Sequence, residues 1–61
     1  MLRIELIEKN YNNGINLYDK IIYSIPKESI KEIKEQLNYW YDIFKENIKK
    51  GKYYIKIKNN F

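Results

Sequence analysis

Apolar and polar residues alternate in two stretches of the chain, one near each end. Within residues 2–9 (LRIELIEK), Leu2, Ile4 and Leu6 alternate with Arg3 and Glu5, which is the period of a half-buried β-strand. Residues 10–14 (NYNNG) are a cluster of turn formers, and residues 15–25 (INLYDKIIYSI) are again rich in Ile and Tyr. We expect a β-hairpin over residues 2–25, with a loop longer than the tightest two-residue type. The alternative for residues 17–24 is a short helix.

The central part of the chain has the 3.6-residue period of an amphipathic helix. Its apolar stripe contains Ile30, Ile33, Leu37, Trp40, Phe44 and Ile48. Ser24 is a candidate N-cap, and Pro26 fits the first helical turn because its missing N–H has no helical partner there. Gly51 suits the left-handed conformation that ends many helices. We expect one long helix over residues 25–50, followed by a last strand over residues 53–58, where YYIKIK alternates again.

These elements predict an α+β fold of order β-β-α-β, in a single domain over residues 1–61. We place the first strand in the centre of an antiparallel sheet of order 2-1-3, because it alternates most regularly and the third strand carries lysines typical of an edge. The alternative order is 1-2-3, with the third strand parallel to the second. A helix of 25 residues is about 37 Å long, whereas a strand of seven residues spans about 23 Å. The helix must therefore overhang the sheet, bend, or contact another molecule.

A single helix covers one face of such a sheet and leaves the other face open. The residues expected on this open face are Arg3, Glu5, Ile7, Tyr18, Lys20, Ile22, Tyr54, Lys56 and Lys58. On the other face, Tyr53, Ile55 and Ile57 are expected to pack under the helix. Tyr39 and Ile43 lie outside the apolar stripe of the helix, and we expect both side chains to be exposed.

The composition argues against several kinds of chemistry. The chain contains no Cys and no His, so disulfides, the common zinc sites, the usual general base and the commonest covalent nucleophile are all missing. We expect no cofactor and no metal, and we interpret the protein as a non-enzyme. The charged N-terminal stretch does not resemble a signal peptide, and no apolar run approaches the length of a membrane span. A cytoplasmic location is the expectation.

Positive charge is concentrated at the C-terminal end of the chain. The net charge is +4, and residues 51–61 contain three lysines and no acidic residue. Lys52, Lys56 and Lys58 are suited to phosphates, with Tyr54 and Tyr18 as stacking platforms for bases. A small basic nucleic-acid-binding protein is therefore our alternative prediction. The competing structural interpretation is that lysines on an edge strand discourage aggregation.

Protein binding is the function that we rank first. Seven tyrosines in 61 residues exceed what so small a core can bury, and Tyr supplies contact area with a polar tip. The candidate partner-binding residues are Tyr39, Ile43, Lys52, Tyr54, Lys56, Lys58, Tyr18, Ile7 and Ile22. We predict an inhibitor or adaptor that docks on a larger protein, and a homodimer through the open sheet face is a second candidate assembly.

The commonest residue types suggest the kind of genome that encodes the chain. Ile, Lys, Asn, Tyr and Phe, whose codons are AT-rich, make up most of the sequence, which indicates a low-GC genome such as that of a bacterium, an archaeon or one of their mobile elements. The most specific functional prediction is therefore a counter-defence factor encoded by a phage or plasmid, such as an anti-CRISPR.

Overall fold

The computed structural model describes residues 1–59, apart from the side chains of Asn12, Asn16 and Leu17. Within this part of the chain the elements are β1 (Leu2–Asn12), β2 (Ile15–Lys27), α1 (Ile30–Ile43), α2 (Lys45–Lys49) and β3 (Tyr53–Asn59). β1 pairs antiparallel with both β2 and β3, giving the order β2-β1-β3. The α+β class and the strand order 2-1-3 are confirmed, and the alternative order 1-2-3 is wrong. Residues 60 and 61 of the predicted domain lie outside the described residues.

A two-residue turn, Asn13-Gly14, joins β1 to β2. Both residues have positive φ, 54° and 81°, as a type I′ turn requires, and Asn-Gly is the pair of residues that adopts this turn most readily. The longer loop expected over residues 10–14 is wrong, because residues 10–12 continue the pairing of β1 with β2. β2 also continues to Lys27, beyond the predicted end of the hairpin.

β2 has 13 residues and its partner β1 has 11, and the two extra residues produce two irregularities in the register. The first lies at Ile22, which has no direct partner in β1. One extra residue reverses the faces that the side chains before it occupy. Tyr18 and Lys20 therefore share the helix-side face with Ile4 and Leu6, and Ile22 packs against the core. The prediction that Tyr18, Lys20 and Ile22 lie on the open face is wrong.

A capping box that we had not predicted fixes the start of α1. Ser29 Oγ accepts a hydrogen bond from the backbone N–H of Glu32 at 3.3 Å, and the Glu32 carboxylate accepts one from the backbone N–H of Glu28 at 2.8 Å. This resembles the Ser-x-x-Glu capping box, shifted by one residue at its second bond. The prediction that the helix begins at residue 25, with Ser24 as its N-cap, is wrong. Pro26 lies in the edge strand β2, where a missing N–H is tolerated.

The single helix predicted over residues 25–50 is wrong in a second respect, because it is interrupted at Phe44. The Phe44 backbone has φ −110° and ψ 20°, and it separates α1 from α2. α1 packs on β1 and β2, whereas α2 packs on β3. The long helix is therefore divided into two segments that contact different strands.

The end of α2 agrees with the prediction made for Gly51. Gly51 has φ 77°, and its N–H donates to the carbonyl of Ile48 at 3.0 Å. The N–H of Lys52 donates to the carbonyl of Asn47 at 2.9 Å. This pair of bonds is the Schellman motif, which needs a residue that tolerates the left-handed conformation. The chain leaves it directly into β3.

The core lies between the helices and one face of the sheet. Its buried residues are Ile4, Leu6, Ile33 and Trp40. The ring of Tyr23 stacks on Trp40 with 6.2 Å between the centroids, which joins the edge strand β2 to α1. Ile30 and Ile57 were expected in the core but are 57% and 51% exposed. Ile30 is the first residue of α1, and Ile57 lies on β3, away from the two strands that α1 covers.

Candidate functional site

Most of the predicted binding residues lie on surfaces, whereas Ile7 is buried and Ile22 packs against the core. Within residues 1–59 the structure contains no pocket and no cluster of three or more acidic side chains placed to hold a metal ion. None of the described helices combines the length and the apolar character needed to cross a membrane. We consider four surfaces in turn: the sheet face opposite the helices, the distal end of the hairpin, the exposed side of α1 and the free edge of β3.

Glu5 is the centre of a charged network on the sheet face opposite the helices. Its side chain is buried, and Oε2 accepts a hydrogen bond from Ser24 Oγ at 2.7 Å. Lys58 Nζ lies 3.2 Å from Oε1, forming an ion pair without hydrogen-bond geometry. Arg3 Nη1 donates to Ser24 Oγ at 3.0 Å and to its carbonyl oxygen at 3.2 Å. The network therefore joins all three strands.

This network lowers the pKa of Glu5 below its ordinary value of 4.5. The hydrogen bond from Ser24 is the largest cause; burial opposes it, and Lys58 and Lys56 act in the same direction as Ser24. The carboxylate is therefore ionised at neutral pH, and it offsets part of the positive charge on this face. Lys58 is paired with Glu5 and its side chain is 39% exposed, whereas Lys56 is exposed and has no such pair among the described residues.

Tyr54 lies on the same face and makes internal contacts of its own. Its hydroxyl donates to the Asp19 carboxylate at 2.7 Å, and this hydrogen bond is the main reason that the pKa of Tyr54 lies above 10.0. Lys9 Nζ lies 5.3 Å from the centroid of the ring. Ile7, the cross-strand neighbour of Tyr54, is only 4% exposed. This part of the face is covered by side chains from its own strands.

The distal end of the hairpin extends beyond the third strand. β3 pairs with residues 2–8 of β1, and the N–H of Lys9 donates to the carbonyl of Lys52 at 2.8 Å at the end of this pairing. Beyond that point β1 and β2 continue as a two-stranded ribbon over residues 10–18, which we call the hairpin arm. Its large exposed side chains, with their exposed fractions, are Tyr11 (55%), Ile15 (66%) and Tyr18 (60%).

Two further candidates lie on α1. Tyr39 and Ile43 are 60% and 49% exposed, and their spacing of four residues places them on one side of the helix. Their exposure agrees with the expectation from the helical pattern. Tyr41 is also exposed, but it lies on a different side of the helix.

The structure brings together only some of the residues predicted to bind a partner. Ile7, Ile22 and Tyr54, proposed for a homodimer contact, do not form one exposed surface, because Ile7 is buried and Ile22 packs against the core. Tyr18 instead joins Tyr11 and Ile15, which the sequence reasoning missed. The Asn13-Gly14 pair was the available signal in the sequence. A two-residue turn there means that residues 10–12 and 15–18 belong to paired strands, so that Tyr11, Ile15 and Tyr18 lie on the same ribbon.

We compared the chain with protein-family models, curated proteins and solved structures, and none of them matches it.

Proposed function

We propose that the protein acts by binding a larger protein, as an inhibitor or adaptor, and that the hairpin arm is its principal contact. The observation that carries this proposal is the exposure of Tyr11, Ile15 and Tyr18 at the end of a ribbon that neither β3 nor the main core reaches. A two-stranded hairpin alone is only marginally stable in water. The exposed apolar side chains of the arm are therefore not used by the core of the fold, which favours their use in a contact with a partner.

The residue types on the arm are suited to protein recognition. Tyr offers a large contact area with few rotatable bonds and a polar tip, and it is enriched where binding energy is concentrated. Tyr18 lies on the helix-side face of the sheet, paired with Asn10, and Tyr11 lies on the opposite face. A groove or cleft in the partner that encloses the arm contacts both faces at once.

The arrangement of Tyr54 supports protein binding over the nucleic-acid alternative. A base needs an open ring face on which to stack. One face of the Tyr54 ring has Lys9 close to it, and the hydroxyl is held by Asp19. Lys58 is paired with the buried Glu5. Two of the groups that the nucleic-acid model requires are therefore engaged within the fold.

A photocrosslinking experiment tests the proposal. A photoreactive phenylalanine analogue replaces Tyr18 on the arm, and in a control variant it replaces Tyr41 on α1, which is 48% exposed. Both proteins are irradiated in cells that express the gene. We expect one discrete protein adduct from position 18, suppressed by excess wild-type chain, and none of the same size from position 41. Adducts to nucleic acid, or identical adducts from both positions, contradict the proposal.

A further inference from the structure

The free edge of β3 has a regular arrangement of backbone groups and side chains. The bond from Lys9 N–H to the Lys52 carbonyl fixes the hydrogen-bonding phase of the β1–β3 pair. Because antiparallel strands alternate hydrogen-bonded and non-hydrogen-bonded pairs, Tyr53, Ile55 and Ile57 direct their backbone N–H and C=O groups away from β1. No strand pairs with this edge among the described residues.

The two faces of the sheet beside this edge carry different kinds of side chain, apolar on one face and positively charged on the other. On the helix-side face, Ile57 is 51% exposed although its cross-strand partner Ile4 is fully buried. On the other face, Lys56 is exposed and Lys58 is half-buried. The segment from residue 49 to residue 58 contains five lysines and no acidic residue. An added strand therefore meets apolar surface on one face and positive charge on the other.

We propose that β3 accepts an acidic, extended protein segment as a fourth strand, with acidic and apolar residues alternating along it. Backbone bonds to Ile55 and Ile57 hold such a segment, and its alternate side chains provide the selectivity, as in other cases of strand addition. The acidic side chains face the exposed Lys56, and the apolar ones face Ile57. This inference rests on the proposal that the protein binds protein, but it concerns a surface distinct from the hairpin arm.

The charges disfavour a second copy of the chain as the occupant. Antiparallel pairing of two β3 edges places the lysines of one copy beside those of the other, and like charges opposite each other on a sheet are destabilising. Glu5, which pairs with Lys58, is buried in the fold, and Asp19 accepts a hydrogen bond from Tyr54 of the same chain. A segment from another protein that carries its own acidic residues can pair with the lysines on one face and pack against Ile57 on the other.

A synthetic peptide, Glu-Val-Glu-Val-Glu-Val-Glu with blocked termini, tests the inference on the full chain. We expect saturable binding, and at a peptide concentration ten times Kd we expect amide exchange at Ile55 and Ile57 to slow about tenfold. A peptide of the same composition with its glutamates grouped at one end is expected to bind much more weakly. Binding without slower exchange at these two amides overturns strand addition, as does equal binding of both peptides.

Charge variants provide the second arm of the test. We expect K52E/K56E to weaken peptide binding about tenfold, whereas K31E/K34E, which reverses two exposed lysines on α1, leaves it unchanged. If K52E/K56E does not fold, K52Q/K56Q takes its place. The amide-exchange measurement is made on the wild-type chain, so it tests the inference even if neither variant folds. Equal effects of both pairs overturn the inference, as does binding of a thymidine oligonucleotide of about ten nucleotides with no binding of the peptide.

The outcomes separate this inference from the proposed function. If the arm crosslinks to a protein while the peptide fails to bind, the inference about β3 is wrong and the proposed function stands. If the peptide binds and the arm gives no protein adduct, the principal contact is β3 and the role assigned to the arm is wrong.

Discussion

Replacement of Glu5 by Gln perturbs a buried carboxylate that joins side chains of β2 and β3. Glu5 is 3% exposed, accepts a hydrogen bond from Ser24 and pairs with Lys58. Gln keeps an acceptor for Ser24 but loses the negative charge. Because the side chain of Lys58 is 39% exposed, its ammonium group can be hydrated in the variant. The cost is therefore that of a charge-assisted interaction, about 1–3 kcal/mol.

That loss is large for a chain of this length. A protein of 61 residues has a free energy of unfolding of about 3–9 kcal/mol, and each 1 kcal/mol shifts the melting temperature by about 4–8 °C. At pH 7 we therefore expect E5Q to melt about 5–20 °C below the wild type. The assay is thermal unfolding followed by circular dichroism, and E35Q, at an exposed position on α1, is the matched control.

The dependence on pH follows from the direction of the pKa shift. The pKa of Glu5 is lower in the folded state than its ordinary value of 4.5. Its contribution to stability is therefore complete well above pH 4.5 and is lost as the pH falls through the folded pKa. We expect the difference between wild type and E5Q to shrink as the pH is lowered through this range. The reasoning is refuted if E5Q melts with the wild type at pH 7, or if the difference does not change below pH 4.5.

Four further predictions concern single positions. W40A removes a buried ring that stacks on Tyr23 and should cost about 3–5 kcal/mol; a native-like melt contradicts the description of the core. G14A should cost about 1–2 kcal/mol because Gly14 has φ 81°, measured by urea unfolding. S29A should cost about 1 kcal/mol through loss of the helix cap, and no change would place the start of the helix elsewhere. In a spectroscopic titration D19N should lower the pKa of Tyr54, since the bond to Asp19 raises it; an unchanged titration curve argues against that bond.

The sequence predicts the sheet because apolar and charged residues alternate regularly over residues 2–6 of β1 and residues 55–58 of β3. The pairs Ile4–Ile57 and Leu6–Ile55 lie on the helix-side face, as the period of two requires. The same reasoning failed in β2, where the irregularity at Ile22 reverses the face of Tyr18. The strand itself was predicted, but the two irregularities in its register leave no signal in the sequence pattern that shows which face each side chain occupies.

The helix boundaries show two different kinds of failure. The Ser29-x-x-Glu32 signal was present in the sequence, but the Ser24 and Pro26 signals five residues earlier suggested a different start. The interruption at Phe44 has no comparable signal, because neither Gly nor Pro occurs there. The Phe44 ring packs in a T-shaped arrangement with Tyr53, with 5.6 Å between the centroids.

Burial on the sheet face opposite the helices was the least predictable feature of the candidate site. Alternation indicates which face a side chain occupies, but it does not indicate what covers that face. Glu5 and Ile7 lie on the central strand, where long side chains of the neighbouring strands surround them. Two residues predicted to be exposed are therefore buried.

The most direct test of the central claim is the affinity of the purified chain for the protein that crosslinks to the arm, measured at two salt concentrations. We expect Kd to change only slightly between about 50 and 200 mM salt, because the contact is mainly apolar, and to rise at least about tenfold in Y11S/Y18S but not in Y41S. A Kd that rises by orders of magnitude with salt and is unaffected by Y11S/Y18S contradicts the claim that this protein binds its partner through the hairpin arm.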